Sequence, residues 1–129
     1  MYEVEAITNG VRVQVETKYS LEHSEGRPDE WFFLYRIRIS NESEQTHQLL
    51  SRHWIITDGT GHVEEVQGPG VVGEQPTLEP GESFEYTSGC PLTTPFGTMV
   101  GTYQMIRSDG STWDADVPCF HLTEPNAIH

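Results

Sequence analysis

The chain has 129 residues, which suits one domain spanning 1–129 with an ordinary core. Seven basic against twenty acidic side chains set the net charge at −13, so neither nucleic acid nor an anionic membrane is expected as a partner. No apolar run approaches membrane-spanning length, and the acidic opening Met1-Tyr2-Glu3-Val4-Glu5 has no signal-peptide core, so no membrane insertion and a cytoplasmic location are expected.

In chain order, Asn9-Gly10 is a turn signal. Val11, Val13, Val15, Thr17 and Tyr19 then alternate with Arg12, Gln14, Glu16 and Lys18, the pattern of a half-buried strand. Glu22 to Asp29 reads as a charged loop. Trp31 to Ile39 is the strongest strand, with Trp31, Phe33, Tyr35, Ile37 and Ile39 on one face and Arg36 and Arg38 on the other.

A third strand is expected over His47–Asp58, but its inward face is ambiguous. Leu50, Trp54 and Ile56 share one parity; Leu49, His53 and Ile55 share the other. If Trp54 points inward, Arg52 does too, and then needs a partner or a strand-end position. Asp58-Gly59-Thr60-Gly61 turns the chain into His62–Gln67.

The run Gly68-Pro69-Gly70-Val71-Val72-Gly73 matches the G-x-G-x-x-G pattern. In dinucleotide-binding folds that pattern opens a helix whose N-terminal amides hold a pyrophosphate. Here the β-branched Val71 and Val72, then Pro76 and Pro80-Gly81, argue against a helix. Two readings stay open: a loop between strands in which the glycines supply positive φ, or a nest of backbone amides that holds an anion with help from Arg52.

Beyond it, Phe84, Tyr86 and Ser88 share one face of a strand over Glu82–Ser88. Gly89–Gly97 reads as a long loop. Met99, Gly101, Tyr103 and Met105 alternate with polar or outward neighbours, and Tyr103 is either a tyrosine corner or a plain core tyrosine. Trp113, Ala115 and Val117 point one way on the last strand. Pro118 marks a bulge or an edge, after which Phe120 and Leu122 continue it, and residues 123–129 form a tail. No helix is expected. About seven to eight antiparallel strands with regular turn signals predict an all-β immunoglobulin/fibronectin-III-like sandwich, with its core over residues 11–122.

Long segments resemble the ApaG domain family. They are Ser51–Asp58, Val66–Pro76, Leu78–Gly89, Gly97–Met105 and Pro118–Leu122. The resemblance implies a fibronectin-III-like sandwich and a bacterial protein of the ApaG or CorD kind. It also implies a non-catalytic binding or protein-interaction role linked to cobalt resistance and magnesium efflux. It supplies no catalytic residue. The glycine run is the family's nucleotide- or pyrophosphate-like motif, so Gly68, Gly70, Gly73 and Arg52 form the candidate anion loop, and the alternative function is a nucleotide- or pyrophosphate-binding protein or hydrolase.

Other chemistry is thinly represented. His23, His47, His53, His62, His121 and His129 show no zinc spacing; His53 and His121 are the candidate ligands. Asp114 and Asp116, two apart on one strand face, are the candidate Mg2+ or Co2+ ligands, and no other cofactor is expected. Ser88 and Cys90 flank Gly89 without a nucleophile elbow. With no export signal, Cys90 and Cys119 are expected to be free, buried thiols.

Overall fold

The computed structural model describes residues 2–125. Two antiparallel sheets face each other. One has the order β1 (Val4–Thr8), β2 (Val11–Tyr19), β3 (Trp31–Asn41), β7 (Ser83–Leu92). The other has the order β5 (Val63–Pro69), β4 (His47–Asp58), β8 (Phe96–Arg107), β9 (Thr112–Thr123), with the two-residue β6 (Thr77–Leu78) paired to the start of β4. This is the expected β-sandwich. The alternation of each long strand sends Val11, Val13, Val15, Phe33, Ile37 and Ile39 from one sheet, and Leu49, Trp54, Met99, Tyr103 and Met105 from the other, into one core. Each fully buried aliphatic side chain contributes about 1.5–3 kcal/mol of transfer free energy.

Several local expectations are revised. Residues 4–8 form β1, which pairs with β2 through the Asn9-Gly10 turn and so extends the sheet ahead of residue 11. The charged loop begins with one helical turn, α1 (Leu21–Ser24), where the Ser20 hydroxyl accepts from the His23 amide as an N-cap. The expected loop after Ser88 is instead the second half of β7. Pro91 is tolerated because, among the described residues, β7 pairs only with β3 and its other edge carries no ladder bonds. Residues 126–129, which include His129 and most of the expected tail, lie outside the described residues.

Both parity conflicts in the sequence are β-bulges. On β4 the pairs Leu49–Met105 and Ser51–Gln104 leave Leu50 as an extra residue, so Leu49 and Trp54 both face the core despite odd spacing. On β9, Met99 pairs Phe120 while Gly101 pairs Val117, so the strand gains a residue at Pro118-Cys119 and Val117 and Phe120 both point inward. The Pro118 bulge is thus as expected, on an edge strand.

Candidate ligand-binding site

The bulge at Leu50 sets up the site. Once Trp54 is turned inward, Arg52 follows on the same face near the end of the sandwich. Its Nη1 donates to the carbonyls of Pro69 (3.0 Å) and Gly70 (2.9 Å), so the partner that the sequence demanded is the glycine run itself. Arg52 also pairs in register with Gly68, and its guanidinium lies so close above that residue that a Cβ there would sit 3.2 Å from both Nη atoms.

The glycine run is a hairpin, not a helix start. Val71 N donates to Glu74 O and Glu74 N to Val71 O, closing a two-residue turn in which Val72 (φ 43°) and Gly73 (φ 81°) are both left-handed. Gly70 (φ 61°) donates its amide to Leu50 O, anchoring the hairpin to the bulge. A Cβ on Gly70 would lie 2.3 Å from the Glu74 carbonyl oxygen, so no other residue fits there without backbone movement. The amides of Gly70, Val71 and Glu74 are therefore committed to protein carbonyls; within the turn, a nest for an anion would draw on Val72 and Gly73.

Beneath the hairpin lies a cleft of about 380 Å³ between the two sheets. Arg52 and Trp54 enter from β4, Tyr35 from β3, Tyr86 and Ser88 from β7, and the hairpin supplies its lip. Trp54 is 3% exposed, and its indole Nε1 has no protein hydrogen-bond partner among the described residues. The Tyr86 and Tyr103 hydroxyls lie 2.5 Å apart. Tyr103 is wholly buried, so the arrangement that satisfies both has Tyr103 donating to Tyr86, which leaves the Tyr86 proton to the cleft. Burial pushes the Tyr35, Tyr86 and Tyr103 phenols above their ordinary pKa, with the Arg52 charge opposing it, so all three are neutral donors at neutral pH. Tyr103 is a core tyrosine bonded to another side chain, and the tyrosine-corner alternative drops out.

The structure thus brings Gly68, Gly70, Gly73 and Arg52 together, and adds Tyr35, Trp54, Tyr86 and Ser88, which sequence reasoning did not assign to a site. The signal was present: an arginine on an inward face beside aromatic residues. No histidine or carboxylate lines the cleft among the described residues.

The other candidates are dispersed. Asp114 and Asp116 sit exposed on β9, opposite Gln104 and Thr102. No group of three or more His, Cys, Asp or Glu side chains that could hold a metal ion occurs among the described residues. His53 Nε2 is 2.8 Å from Glu65, and His121 is exposed on β9. Arg36 bridges Glu16 and Glu85 across the outer face of the first sheet. Both cysteines are free thiols, as expected, but only Cys90 is buried, its pKa pushed up to about 11 by burial; Cys119 is exposed at the β9 bulge, which turns it away from the core.

The fold is a small β-sandwich whose glycine hairpin, with Val72 and Gly73 both left-handed, lies over a cleft lined by Tyr35, Arg52, Trp54, Tyr86 and Ser88. Comparison with known proteins makes that specific. The sequence profile of the ApaG domain matches residues 21–107. Protein ApaG of Brucella anthropi is 56% identical over 120 residues, covering 93% of this chain and 92% of that protein. Protein ApaG of Dechloromonas aromatica is 52% identical over 124 residues, covering 95% and 98%. A crystal structure of an ApaA protein from Bordetella pertussis superposes with a TM-score of 0.86 at 47% identity, covering 91% of this chain and 95% of that one. This chain belongs to the ApaG domain family. Among its described residues, no helix is long and apolar enough to cross a membrane.

Proposed function

We propose that the protein is a cytoplasmic, non-catalytic interaction module that acts in divalent-cation homeostasis through a protein partner, with the hairpin Gly70–Gly73 as its recognition element. The observation that carries this is Val72. A β-branched residue held at φ 43° is strained, and 55% of its surface is exposed at the lip of the cleft. Asparagine or glycine would relieve the strain at that position; an exposed valine makes sense as an apolar contact for another protein.

The test is capture from native cytosol by the immobilised full chain and by Val72→Asn, a change that relaxes the turn. A partner retained by the wild type under defined magnesium concentrations and lost by the variant is the expected result. Equal capture by both would remove the hairpin from the reading.

A second reading is favoured by the position of Arg52 against Gly68. In it the hairpin and Arg52 hold a nucleotide or pyrophosphate. Amide NMR with pyrophosphate and then ATP, with and without magnesium, tests it: saturable shifts must include Val72 and Gly73, the turn amides outside the hairpin's own bonds. Direct Mg2+ or Co2+ binding by Asp114 and Asp116 predicts that Asp114→Asn with Asp116→Asn weakens cation affinity, measured by calorimetry; equal affinity would end that idea.

A further inference from the structure

The cleft itself carries chemistry that neither the hairpin nor the carboxylates explain. Its polar side chains bring donors from both sheets, and the hydroxyls of Tyr35, Tyr86 and Ser88 accept as well. The Trp54 indole N–H can only donate, and the Arg52 guanidinium can only donate. Tyr86 offers its proton once Tyr103 has donated to it, and Tyr35 adds a neutral phenol beside Ser88. In a chain with twenty acidic side chains, none lines this cleft among the described residues. The Trp54 indole N–H is buried without an acceptor among the described residues, and beside an arginine the group that would satisfy it is an acceptor with negative charge.

The charge of that acceptor can be argued further. The surrounding net charge of −13 opposes an anion in proportion to its charge, so a polyanion is disfavoured several times more than a monoanion. Phosphate sites are commonly built from backbone amides, and those of Gly70, Val71 and Glu74 are spent on protein carbonyls. The Val72 and Gly73 amides lie at the lip, and the cleft beneath them offers side-chain donors with apolar walls from Pro69, Val71 and Val72. The volume, about 380 Å³, is that of a small-molecule site.

We propose that the inter-sheet cleft binds a small organic monocarboxylate, its carboxylate held by Arg52, the Trp54 indole and the Tyr35 and Tyr86 hydroxyls, and its apolar body lying under the hairpin. This goes beyond the interaction reading and is separable from it, because it concerns the cleft and not the exposed face of Val72.

The test is a titration of the full chain with benzoate, followed by the Trp54 indole N–H cross-peak in a proton–nitrogen NMR spectrum. Benzamide is the uncharged control and pyrophosphate the polyanionic one. A saturable downfield shift of the Trp54 indole with benzoate is expected, at millimolar concentration or below, with little response to benzamide. Arg52→Gln should weaken binding by at least about tenfold. Because that variant also loses the bonds to Pro69 and Gly70, Tyr35→Phe serves as the companion change; it should weaken binding severalfold with an unchanged amide spectrum elsewhere. An unmoved Trp54 indole in the folded protein overturns the site. An equal response to benzamide overturns the carboxylate assignment. So does a stronger indole response to pyrophosphate than to benzoate, and shifts from pyrophosphate confined to the Val72 and Gly73 amides would return the anion to the loop.

Discussion

Two hairpin turns in this molecule have nearly the same backbone and opposite sequence logic. Asn9-Gly10 joins β1 to β2 with φ of 49° and 80°; Val72-Gly73 closes the glycine hairpin with φ of 43° and 81°. Both are two-residue turns with two left-handed residues, the geometry that favours Asn-Gly. The first obeys the rule and does only structural work: Glu42 N donates to Gly10 O, and a Cβ on Gly10 would collide with Ser43. The second breaks the rule at the mouth of a cleft. Where local chemistry and backbone disagree in an otherwise consistent fold, function is the better explanation of the disagreement.

The largest expected effect comes from removing the hairpin's anchor. Gly70→Ala adds a Cβ 2.3 Å from the Glu74 carbonyl in a left-handed conformation. It should destabilise by about 3 kcal/mol or detach the hairpin from the Leu50 bulge, read as a lower denaturant midpoint and as lost protection of the Gly70 amide. A midpoint within experimental error of the wild type would show that the hairpin is a loose appendage and that the comparison of the two turns has no energetic content.

Exchanging the two turn residues tests the comparison directly. Val72→Asn should stabilise by about 1 kcal/mol, and Asn9→Val should destabilise by a similar amount, because valine is the poorer left-handed residue in either place. The double exchange should come out close to the wild type, since the turns share no direct contact. A neutral or destabilising Val72→Asn would mean that packing of the valine methyls outweighs the backbone strain. Below these in size is Gly68→Ala. The three atoms nearest the added Cβ all belong to the far end of the Arg52 side chain, which can shift, so stability should change by less than about 0.5 kcal/mol while the guanidinium is displaced. The expected signature is a shift of the Trp54 indole and of the Gly70 amide with an unchanged denaturant midpoint.

The same pair of turns shows how much was legible in the sequence. The alternating runs of β2, β3, β8 and β9 identified a sandwich because period two survives in any strand with one buried face. Asn9-Gly10 was legible as a turn, but β1 before it was not, since Val4, Ala6 and Thr8 are only half-buried and Glu5 and Ile7 are exposed. The second half of β7 was hidden by Gly89 and Pro91, read as loop residues. In the fold, Gly89 makes room for the Phe32 ring and Pro91 sits on an edge strand. At the site, the glycine run and the inward Arg52 could be found from residue types alone. Their connection could not, because it depends on the extra residue at Leu50, and a bulge changes parity without any residue-level mark. Tyr35, Tyr86 and Ser88 come from two strands of the opposite sheet, and only the sandwich brings them to Arg52.

The smallest effect concerns what holds the conventional turn in place. His47 is buried; its Nδ1 accepts from the Trp113 indole (3.2 Å), which leaves the proton on Nε2, facing Ser43 Oγ at 3.0 Å. Ser43 in turn packs against Gly10. Burial, with the nearby Arg107 charge, lowers the His47 pKa from its ordinary value near 6.5. Protonation would also place a second N–H against the indole donor. At pH well above 6.5, His47 is neutral in both folded and unfolded chains and contributes no pH dependence. As pH falls below that value the unfolded chain takes up a proton that the folded chain resists, so stability declines until the lower folded pKa is reached. His47→Gln should flatten this segment of the stability–pH curve. In the wild type the loss should appear in amide exchange at Gly10 and Ser43 before it appears at Gly70 and Glu74, because the bonds that hold the glycine hairpin run between backbone groups and from Arg52, which does not titrate in this range. Simultaneous loosening of both turns would show that they are energetically coupled through the sandwich, and that the strain at Val72 is shared by the whole fold.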